Sequence, residues 1–396
     1  MSEDLSEMSN EELMQLYHES KAKSVVFNLS QQAKKILLNS CYGAIGNAYF
    51  LHNDVRIARA ITLAGQAMIN KSAKETNDWL NGVLKNKKAE DYRVYSDTDS
   101  NYFDLNDALN VFLKIKPDAD RQAKADFLDK FCQKMESDCL SPLFDKVKQE
   151  INGEEDGGLH MDREAIAVPN DHTGNCGIWI AKKRYYLLLD DMEGFRYTAN
   201  NGEPHEKIMG LFSVTSSCPE FVKPWFNKVL HDLTAEGVER ARKTIAEFKE
   251  MFFAKPISEI SFQKGVSDIE KYLNPETNLP WEGEWFDAES GKTRNGGCPI
   301  NAKAAMYHNA LVDELKLEKK YQKIKSGDKM KYAYLKENPK HWTVIGFIDD
   351  IPEEFGLKEY VDVQTHYEKI FYKPVEDVFT ACSLDIVPKV DIASFF

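Results

Sequence analysis

Two aspartates one residue apart, Asp97 and Asp99, lie at the centre of the segment Tyr95–Ser100 (YSDTDS). Apolar residues on both sides predict a tight turn between two strands. Two neighbouring carboxylates concentrate negative charge, which a hard cation such as Mg²⁺ relieves. The segment therefore indicates a metal-binding turn. The alternative is an ordinary Asp-rich hairpin turn, which is the commoner meaning of an isolated D-x-D pair.

A second candidate site is the helical segment Lys35–Gly43 (KILLNSCYG). Lys35, Asn39 and Tyr42 recur at intervals of four and three residues, which places them on one helix face. That face suits a nucleotide, with lysine for the phosphates, the ring for the base and Gly43 for close approach. The alternative is a surface helix whose aromatic ring packs inward.

Two further segments carry charge in predicted strands. Glu164 is followed by apolar residues and is a candidate carboxylate. Three cations, Lys182, Lys183 and Arg184, precede Tyr185 at the start of another strand. A basic edge on a rigid sheet suits phosphate contacts, whereas an isolated basic triplet is more often a solvated loop.

The hydrophobic pattern predicts the elements that position these residues. Ser9 and Glu12 have the spacing of a capping box at a helix start. The succession of helices, mixed sheet and helices predicts an α+β chain with an antiparallel catalytic sheet. Helices are predicted over about 30–47, 55–80, 118–150 and 218–253, a hairpin over 91–105, strands over 160–168, 177–189 and 194–197, and irregular structure over 274–299.

Composition narrows the class of protein. The 396 residues are 42% hydrophobic, enough for two or three packed units, and no apolar run reaches the roughly 18 residues that span a bilayer. We expect a soluble intracellular protein.

The net charge of −13 argues against nucleic-acid binding. However, lysines cluster locally over 182–184 and 316–331, and DNA responds to the local potential. Seven scattered cysteines without a C-x-x-C pair predict reduced thiols.

Taken in order, these segments resemble the motifs of family B DNA polymerases, most closely the T-even-like branch of tailed phages. Lys35–Gly43 resembles the fingers motif K-x-x-x-N-S-x-Y-G. Tyr95–Ser100 resembles the palm motif Y-G-D-T-D-S, with Ser96 where glycine is usual. Met161–Ala165 resembles a strand that brings a carboxylate to the metals, and Lys182–Tyr185 resembles the primer-binding motif K-K-x-Y. The match continues through Asp191–Gly194, Lys207–Gly210 and Ser216-Ser217.

The resemblance implies DNA-directed nucleotidyl transfer from a dNTP to a primer 3′-hydroxyl with two Mg²⁺ ions. It makes Asp99 a metal ligand, with Asp97 and Glu164 as supporting catalytic carboxylates and Glu164 also at the metals. The remaining residues fall into two groups: Lys35, Asn39, Tyr42 and Gly43 at the nucleotide, and Lys182, Lys183, Arg184 and Tyr185 at the primer DNA.

The resemblance also implies the domain organisation: a palm with an antiparallel sheet flanked by helices, partial helical fingers and a mostly helical thumb. We expect the C-terminal part of the fingers over 1–46, the palm over 47–205, the thumb over 206–387 and a clamp-binding tail over 388–396. In that tail, Ile392, Phe395 and Phe396 resemble the aliphatic and aromatic residues with which such polymerases bind a sliding clamp.

Parts of the family pattern are missing from the sequence. The palm motif D-x-x-S-L-Y-P, source of the second metal-bridging aspartate, appears nowhere, and neither do the first fingers helix and the proofreading exonuclease. The exonuclease motif D-x-E has only a superficial echo in Asp268-Ile269-Glu270. Because the chain starts at a methionine with a capped helix, we expect the C-terminal subunit of a split polymerase; a truncated chain is the second explanation.

Two hypotheses for function follow. The first is a polymerase subunit that is inactive without an N-terminal polymerase subunit, and the second is a non-catalytic accessory subunit that binds DNA and the clamp. The carboxylates favour the enzyme, because a pure DNA binder should not turn negative charge toward the DNA backbone. A metal-dependent nuclease is disfavoured by the helix face at Lys35. Expected partners are primer–template DNA, dNTP, the N-terminal subunit and the sliding clamp, in the cytoplasm of an infected bacterium.

Overall fold

The computed structural model describes residues 8–86, 89–151, 153, 158–281, 283–287, 291–295 and 297–388. The chain forms two compact units, one from 1–108 with 135–161 and the other from 109–134 with 162–396. Helices and small antiparallel sheets make up the fold, as the sequence predicts. All seven cysteines are free thiols in the structure.

A single helix of 37 residues, α1 (Asn10–Gly46), begins the first unit. Its capping box is present, because the Glu12 N–H donates to Ser9 Oγ and the Ser9 N–H donates to Glu12 Oε2. The sequence pattern separated this region into two helices. They join because no glycine or proline lies between them, so nothing in the backbone stops the helix.

The rest of the first unit contains the aspartate hairpin and helices on either side of it. The predicted helix over 55–80 and the hairpin over 91–105 are confirmed, whereas a short helix after the hairpin was not predicted. These elements are α2 (Val55–Val83), β1 (Arg93–Asp97), β2 (Ser100–Phe103), α3 (Asn106–Ile115), which continues into the second unit, and α5 (Ser141–Glu150).

In the second unit, the basic residues lie in a sheet of three strands, β4 (Gly177–Ala181), β5 (Arg184–Leu189) and β8 (His205–Met209). The strand order is β4-β5-β8, and the sheet is antiparallel throughout. Strand β8 joins residues on both sides of the boundary predicted at 205 into one sheet. The elements from the start of this unit to this sheet are α4 (Arg121–Met135), β3 (Ala165–Ile166), β4 (Gly177–Ala181), β5 (Arg184–Leu189), β6 (Asp191–Met192), β7 (Phe195–Arg196), α6 (Tyr197–Asn201) and β8 (His205–Met209).

The C-terminal half of this unit is mostly helical, with a second three-stranded sheet in the order β15-β14-β9. The region predicted as irregular over 274–299 contains two short hairpins. The elements are α7 (Lys223–His231), α8 (Val238–Phe253), α9 (Ile257–Ile260), β9 (Phe262–Gly265), α10 (Ile269–Tyr272), β10 (Leu273–Asn274), β11 (Leu279–Pro280), β12 (Glu284–Asp287), β13 (Lys292–Asn295), α11 (Ile300–Glu314), β14 (Lys329–Tyr334), β15 (Val344–Phe347), α12 (Val363–Tyr367) and α13 (Lys373–Ala381).

One hydrophobic core backs the β4-β5-β8 sheet from the helical side. Tyr186 on β5 is fully buried in it, together with Phe226, Phe248 and Phe371. The rings of Phe248 and Phe371 lie 4.1 Å apart between centroids. Burying aromatic rings of this size dominates the stability of such a core, so this sheet is a rigid support.

Two helical regions pass through a π turn just before a proline. Glu136–Leu140 separates α4 from α5 ahead of Pro142, and Glu368–Tyr372 separates α12 from α13 ahead of Pro374. Proline has no N–H to donate and its ring clashes with the carbonyl four residues earlier. A wider turn removes that clash, so the helix continues past the proline.

Candidate active site

The predicted aspartate turn is a hairpin in which Thr98 and Asp99 connect β1 to β2. The Asp99 N–H donates to the Asp97 carbonyl oxygen over 2.6 Å, and Thr98 has a φ of 52°. A left-handed φ is strained for a β-branched residue. Two hydroxyls support the turn, because Thr98 Oγ1 donates to Asp97 Oδ1 and Ser100 Oγ donates to the Asp97 carbonyl, both over 3.1 Å.

The hairpin is attached to α2 through Asn101. Asn101 Nδ2 donates to the Ile69 carbonyl over 3.2 Å and to Ser72 Oγ over 3.1 Å. Ser96 occupies the position where the similar palm motif has glycine. Its hydroxyl donates a hydrogen bond of 2.5 Å to Asn101 Oδ1. The serine therefore fits this backbone and contributes to its attachment.

The donor atoms of this turn suit a hard divalent cation. Asp97 is half-buried and Asp99 is exposed, so both carboxylates stand at the surface of a fixed turn. Across the described residues, no cluster of three or more His, Cys, Asp or Glu side chains is arranged to hold an ion. Mg²⁺ is usually bound by one or two carboxylates together with waters and substrate phosphates, so a pair of aspartates fits it.

The predicted nucleotide face lies on α1, where the structure buries no side chain. Lys35, Asn39 and Gly43 are exposed, and a Cβ added to Gly43 would meet nothing within 4 Å. The Tyr42 hydroxyl shares a hydrogen bond of 2.7 Å with Thr62 Oγ1 on α2. This bond fixes the direction of the Tyr42 ring, which is 46% exposed.

Glu164 is exposed and immediately precedes β3, because the strand predicted over 160–168 is reduced to two residues. Lys207 Nζ on β8 lies 3.6 Å from Glu164 Oε1. The Glu193 N–H donates to the Glu164 carbonyl oxygen over 2.6 Å. The carboxylate is therefore held beside a cation and on a fixed backbone.

The buried charges of Asp190 and Asp191 were not predicted from the sequence. Asp190 is fully buried and accepts two hydrogen bonds from Arg121, of 2.6 and 3.0 Å. Burial raises the pKa of Asp191, but hydrogen bonds from Arg163 and Arg196 outweigh burial, so the pKa is lowered overall. A pair of aspartates directly after the apolar run of β5 was the signal for these contacts, because buried carboxylates need partners.

The four predicted DNA-binding residues have different surroundings. Lys182 and Lys183 form the exposed turn between β4 and β5, and Lys183 has a φ of 60°. Arg184 lies 3.5 Å from Asp377 on α13. Tyr185 is only 5% exposed, and its ring lies 4.5 Å from that of Trp179 between centroids. Of the four residues, Lys182 and Lys183 are the exposed ones.

Other features singled out in the sequence are structural in part. Lys320 forms an ion pair with Glu354, and Lys323 lies 2.5 Å from Asp313, so part of the cluster over 316–331 is neutralised. The D-x-E echo is also structural, because Ile269 is buried and Glu270 accepts a hydrogen bond of 2.7 Å from Ser326. The predicted clamp-binding residues Ile392, Phe395 and Phe396 lie outside the described residues.

The structure places the predicted site residues in two groups. The α1 face and the aspartate turn belong to the first unit, while Glu164 and the basic turn belong to the second. Each group has the local geometry described above. In the described part of the chain, no helix is both long and apolar enough to cross a membrane.

Comparisons with known proteins fit these motifs. The sequence model of "DNA polymerase family B" matches residues 9–126. The chain is 29% identical over 402 residues to a DNA-directed DNA polymerase of Enterobacteria phage T4 and 28% identical over 401 residues to that of Escherichia phage RB69. These alignments cover 99% and 100% of this chain but 41% of each relative. The chain therefore spans about two-fifths of the length of the relatives it matches.

Proposed function

We propose that this chain is the catalytic C-terminal portion of a family B DNA-directed DNA polymerase, because it is 29% and 28% identical over its length to the polymerases of phages T4 and RB69. Its reaction is template-directed transfer of a nucleotide from dNTP to a primer 3′-hydroxyl. The observation that carries this proposal is the aspartate turn, with Asp97 and Asp99 on a strained hairpin attached to α2.

The residues of this chain have distinct tasks in that reaction. Asp99, with Asp97 beside it, is the residue that would hold a divalent cation. Glu164 would be the supporting carboxylate at the metals. Two Mg²⁺ ions, when bound, activate the primer hydroxyl and stabilise charge on the phosphates. Lys35 and Asn39 contact the triphosphate. The hydroxyls of Thr98 and Ser100 keep the turn in place, since misplacing a ligand by about 1 Å costs a large part of the rate.

Two more α1 residues complete the nucleotide side of the proposal. Tyr42, whose hydroxyl is anchored on Thr62, offers its ring to the nascent base pair. Gly43 leaves open space beside that ring. Glycine at such a position lets a ligand approach the helix backbone closely.

The second metal-bridging aspartate must come from outside these 396 residues, since the sequence lacks D-x-x-S-L-Y-P. We propose an N-terminal polymerase subunit or segment as its source. Helix α1 supports a partner of this kind, because Val25, Leu29 and Ile36, spaced by four and seven residues on one helix face, are 52%, 61% and 66% exposed. Large apolar side chains in a contiguous exposed set mark an interaction surface.

Primer extension tests the dependence on a partner. The purified chain should extend a primer negligibly, and a polypeptide carrying the missing aspartate motif and first fingers helix should restore extension. Asp99→Asn in this chain is the matched control and should remain inactive in the mixture. Robust extension by the chain alone, lost in Asp99→Asn, would show that the missing motif is not needed.

The tail over 388–396 is proposed to bind the sliding clamp through Ile392, Phe395 and Phe396. Burying an exposed aromatic ring in a partner's pocket stabilises a complex by about 1.5–3 kcal/mol. Deleting 390–396 should shorten products on a clamp-loaded template and leave distributive synthesis on short primers unchanged. A lower melting temperature with unaltered processivity would instead make the tail part of the fold.

The accessory-subunit hypothesis remains the alternative. It requires DNA binding without a catalytic contribution from the carboxylates. Full polymerase activity of the complete enzyme with both Asp97→Ala and Asp99→Ala would establish it.

A further inference from the structure

Gly210, the residue after β8, lies directly against the basic turn. A Cβ built on Gly210 would lie 2.1 Å from the Lys183 carbonyl oxygen and 3.2 Å from Arg184 Cγ. Real Cβ atoms essentially never approach another atom within 3.0 Å. Since the nearest atom belongs to the backbone, a side-chain rotation cannot relieve the clash.

The backbone conformation on both sides of this contact is unusual. Gly210 has a φ of 59° and Lys183 has a φ of 60°. The pairing of Tyr185 with Met209 continues β8 toward the turn, so the strand register brings Gly210 to Lys183. Glycine adopts a left-handed φ without strain, which is the first reason for glycine at 210. The close contact with the Lys183 carbonyl oxygen is the second.

We propose that Gly210 is a positioning residue that fixes where the Lys182–Lys183 turn presents its two cations to the DNA backbone. This inference rests on the proposed polymerase function and on the primer contact that the resemblance to family B polymerases implies for those lysines. The buried strand β5 continues directly from the turn, and Gly210 lets the end of β8 contact the turn closely. Any side chain at 210 moves the turn relative to the sheet.

The test compares Gly210→Ala with Gly202→Ala in the full chain. Gly202 has a φ of 79° and open space around its Cβ position, so this control reproduces the backbone strain without the clash. The dissociation constant for a labelled primer–template duplex is measured across a KCl series. Affinity falls as salt rises, so log affinity plotted against log salt has a negative slope. Each lost phosphate contact lowers the steepness of that slope by about 0.9.

We expect Gly210→Ala to weaken binding about five- to tenfold and to lower the salt slope by about 0.9 to 1.8, while Gly202→Ala stays within twofold of the wild type. Lys183→Ala alone should weaken binding to all sequences and lower the slope. In a Lys182→Ala, Lys183→Ala background, Gly210→Ala should change neither quantity further, because the two cations that the turn presents are gone.

The outcomes separate the two claims. If Lys183→Ala leaves affinity and slope unchanged, the lysines do not bind DNA and the proposed role of Gly210 falls with them. If Lys183→Ala weakens binding while Gly210→Ala behaves like Gly202→Ala, the positioning role alone is wrong. An undiminished effect of Gly210→Ala in the double-alanine background would also make Gly210 merely structural.

A second variant covers the case in which Gly210→Ala does not fold. Inserting one glycine between Lys182 and Lys183 displaces the same turn and keeps Gly210 and β8. This insertion should lower the salt slope by about 0.9 to 1.8 as well. An unchanged slope with a folded protein would show that the position of the turn does not matter.

Discussion

The acidic hairpin turn at Thr98 and the basic hairpin turn at Lys183 share a left-handed backbone conformation. They differ in the contacts that support it. Thr98 in the acidic turn and Lys183 in the basic turn both have a left-handed φ, of 52° and 60°. The acidic turn is held by its own hydroxyls and by Asn101. The basic turn is supported by a three-stranded sheet whose middle strand, β5, is buried, and by the close approach of Gly210.

This difference shows two ways to hold a charged group rigidly. Local hydrogen bonds fix the aspartates while leaving them accessible, which suits a carboxylate that must meet an ion and a substrate. Packing fixes the lysines through distant parts of the chain, which suits a contact with the extended DNA backbone. Strain at both turns is maintained because the surroundings over-determine the conformation.

The largest expected effect concerns the acidic turn. Asp99→Ala should lower turnover of the complete enzyme at least about 100-fold, roughly 2.7 kcal/mol of barrier, while primer–template affinity stays nearly unchanged. Removing a metal ligand takes away stabilisation of the transition state more than of bound substrate. Single-turnover extension and duplex binding measure the two quantities.

Asp78→Ala, a surface carboxylate of the same unit that pairs with Lys74, is the matched control and should retain full turnover. Retention of more than about a tenth of wild-type turnover by Asp99→Ala, less than about 1.4 kcal/mol of barrier, would remove Asp99 as the ligand.

A smaller effect is expected from the strain in the basic turn. Lys183→Gly should be more stable than Lys183→Ala by about 1 kcal/mol, because only glycine adopts the left-handed φ freely. Both variants lose the cation and should weaken DNA binding equally. Urea unfolding measures the stability difference, and Thr98→Gly against Thr98→Ala provides the same comparison in the acidic turn. Equal stabilities at 183 would mean that the turn relaxes once the lysine is gone.

The smallest expected effect is a pH dependence of the free energy of unfolding. It arises from Glu206, on strand β8 of the sheet that supports the basic turn, and His231. A hydrogen bond between the two side chains raises the pKa of His231 from 6.5 and lowers that of Glu206 from 4.5. The His231 contribution is full below pH 6.5 and is lost as pH rises through the higher folded pKa; the Glu206 contribution is present above pH 4.5 and is lost as pH falls through the lower one.

The pair therefore stabilises most between about pH 4.5 and 6.5. Because both side chains are partly exposed, we expect only a few tenths of a kcal/mol. Urea unfolding at pH 6 and pH 8, taken as the difference between wild type and His231→Gln, should show the wild type losing more stability at pH 8. A difference that does not change with pH would show that the contact is not charged.

Local signals in the sequence predicted much of what is observed near the acidic turn. The capping box at Ser9 and the hairpin around Asp97 depend on residues a few positions apart, so their spacing carries the information. The face of Lys35 and Asn39 follows from helix periodicity alone. The union of the two predicted helices into α1 was missed because the mainly polar residues 18–24 interrupt the apolar repeat, although no glycine or proline there stops a helix.

The basic segment was harder to predict because its surroundings come from distant parts of the chain. The burial of Tyr185 depends on Trp179 in the neighbouring strand, and Arg184 meets Asp377 almost two hundred residues later. Strand β8 escaped prediction because its residues are mainly polar. The bond from Arg121 to Asp190 likewise needs the tertiary fold. Sequence pattern supplies residue types at such places, whereas the fold decides which remain exposed.

The π turn ahead of Pro374 shifts the phase of the apolar repeat along the last helices. Buried residues occur at 366–367 and 370–371 and then at 375 and 378–379, so one residue has slipped in the repeat. A slip of one residue turns a helix by about 100°. The π turn accommodates the extra residue, so α13 keeps its buried side chains in the core and Asp377 on the side of Arg184. A regular α-turn over 368–372 with no residue removed would instead rotate Asp377 away.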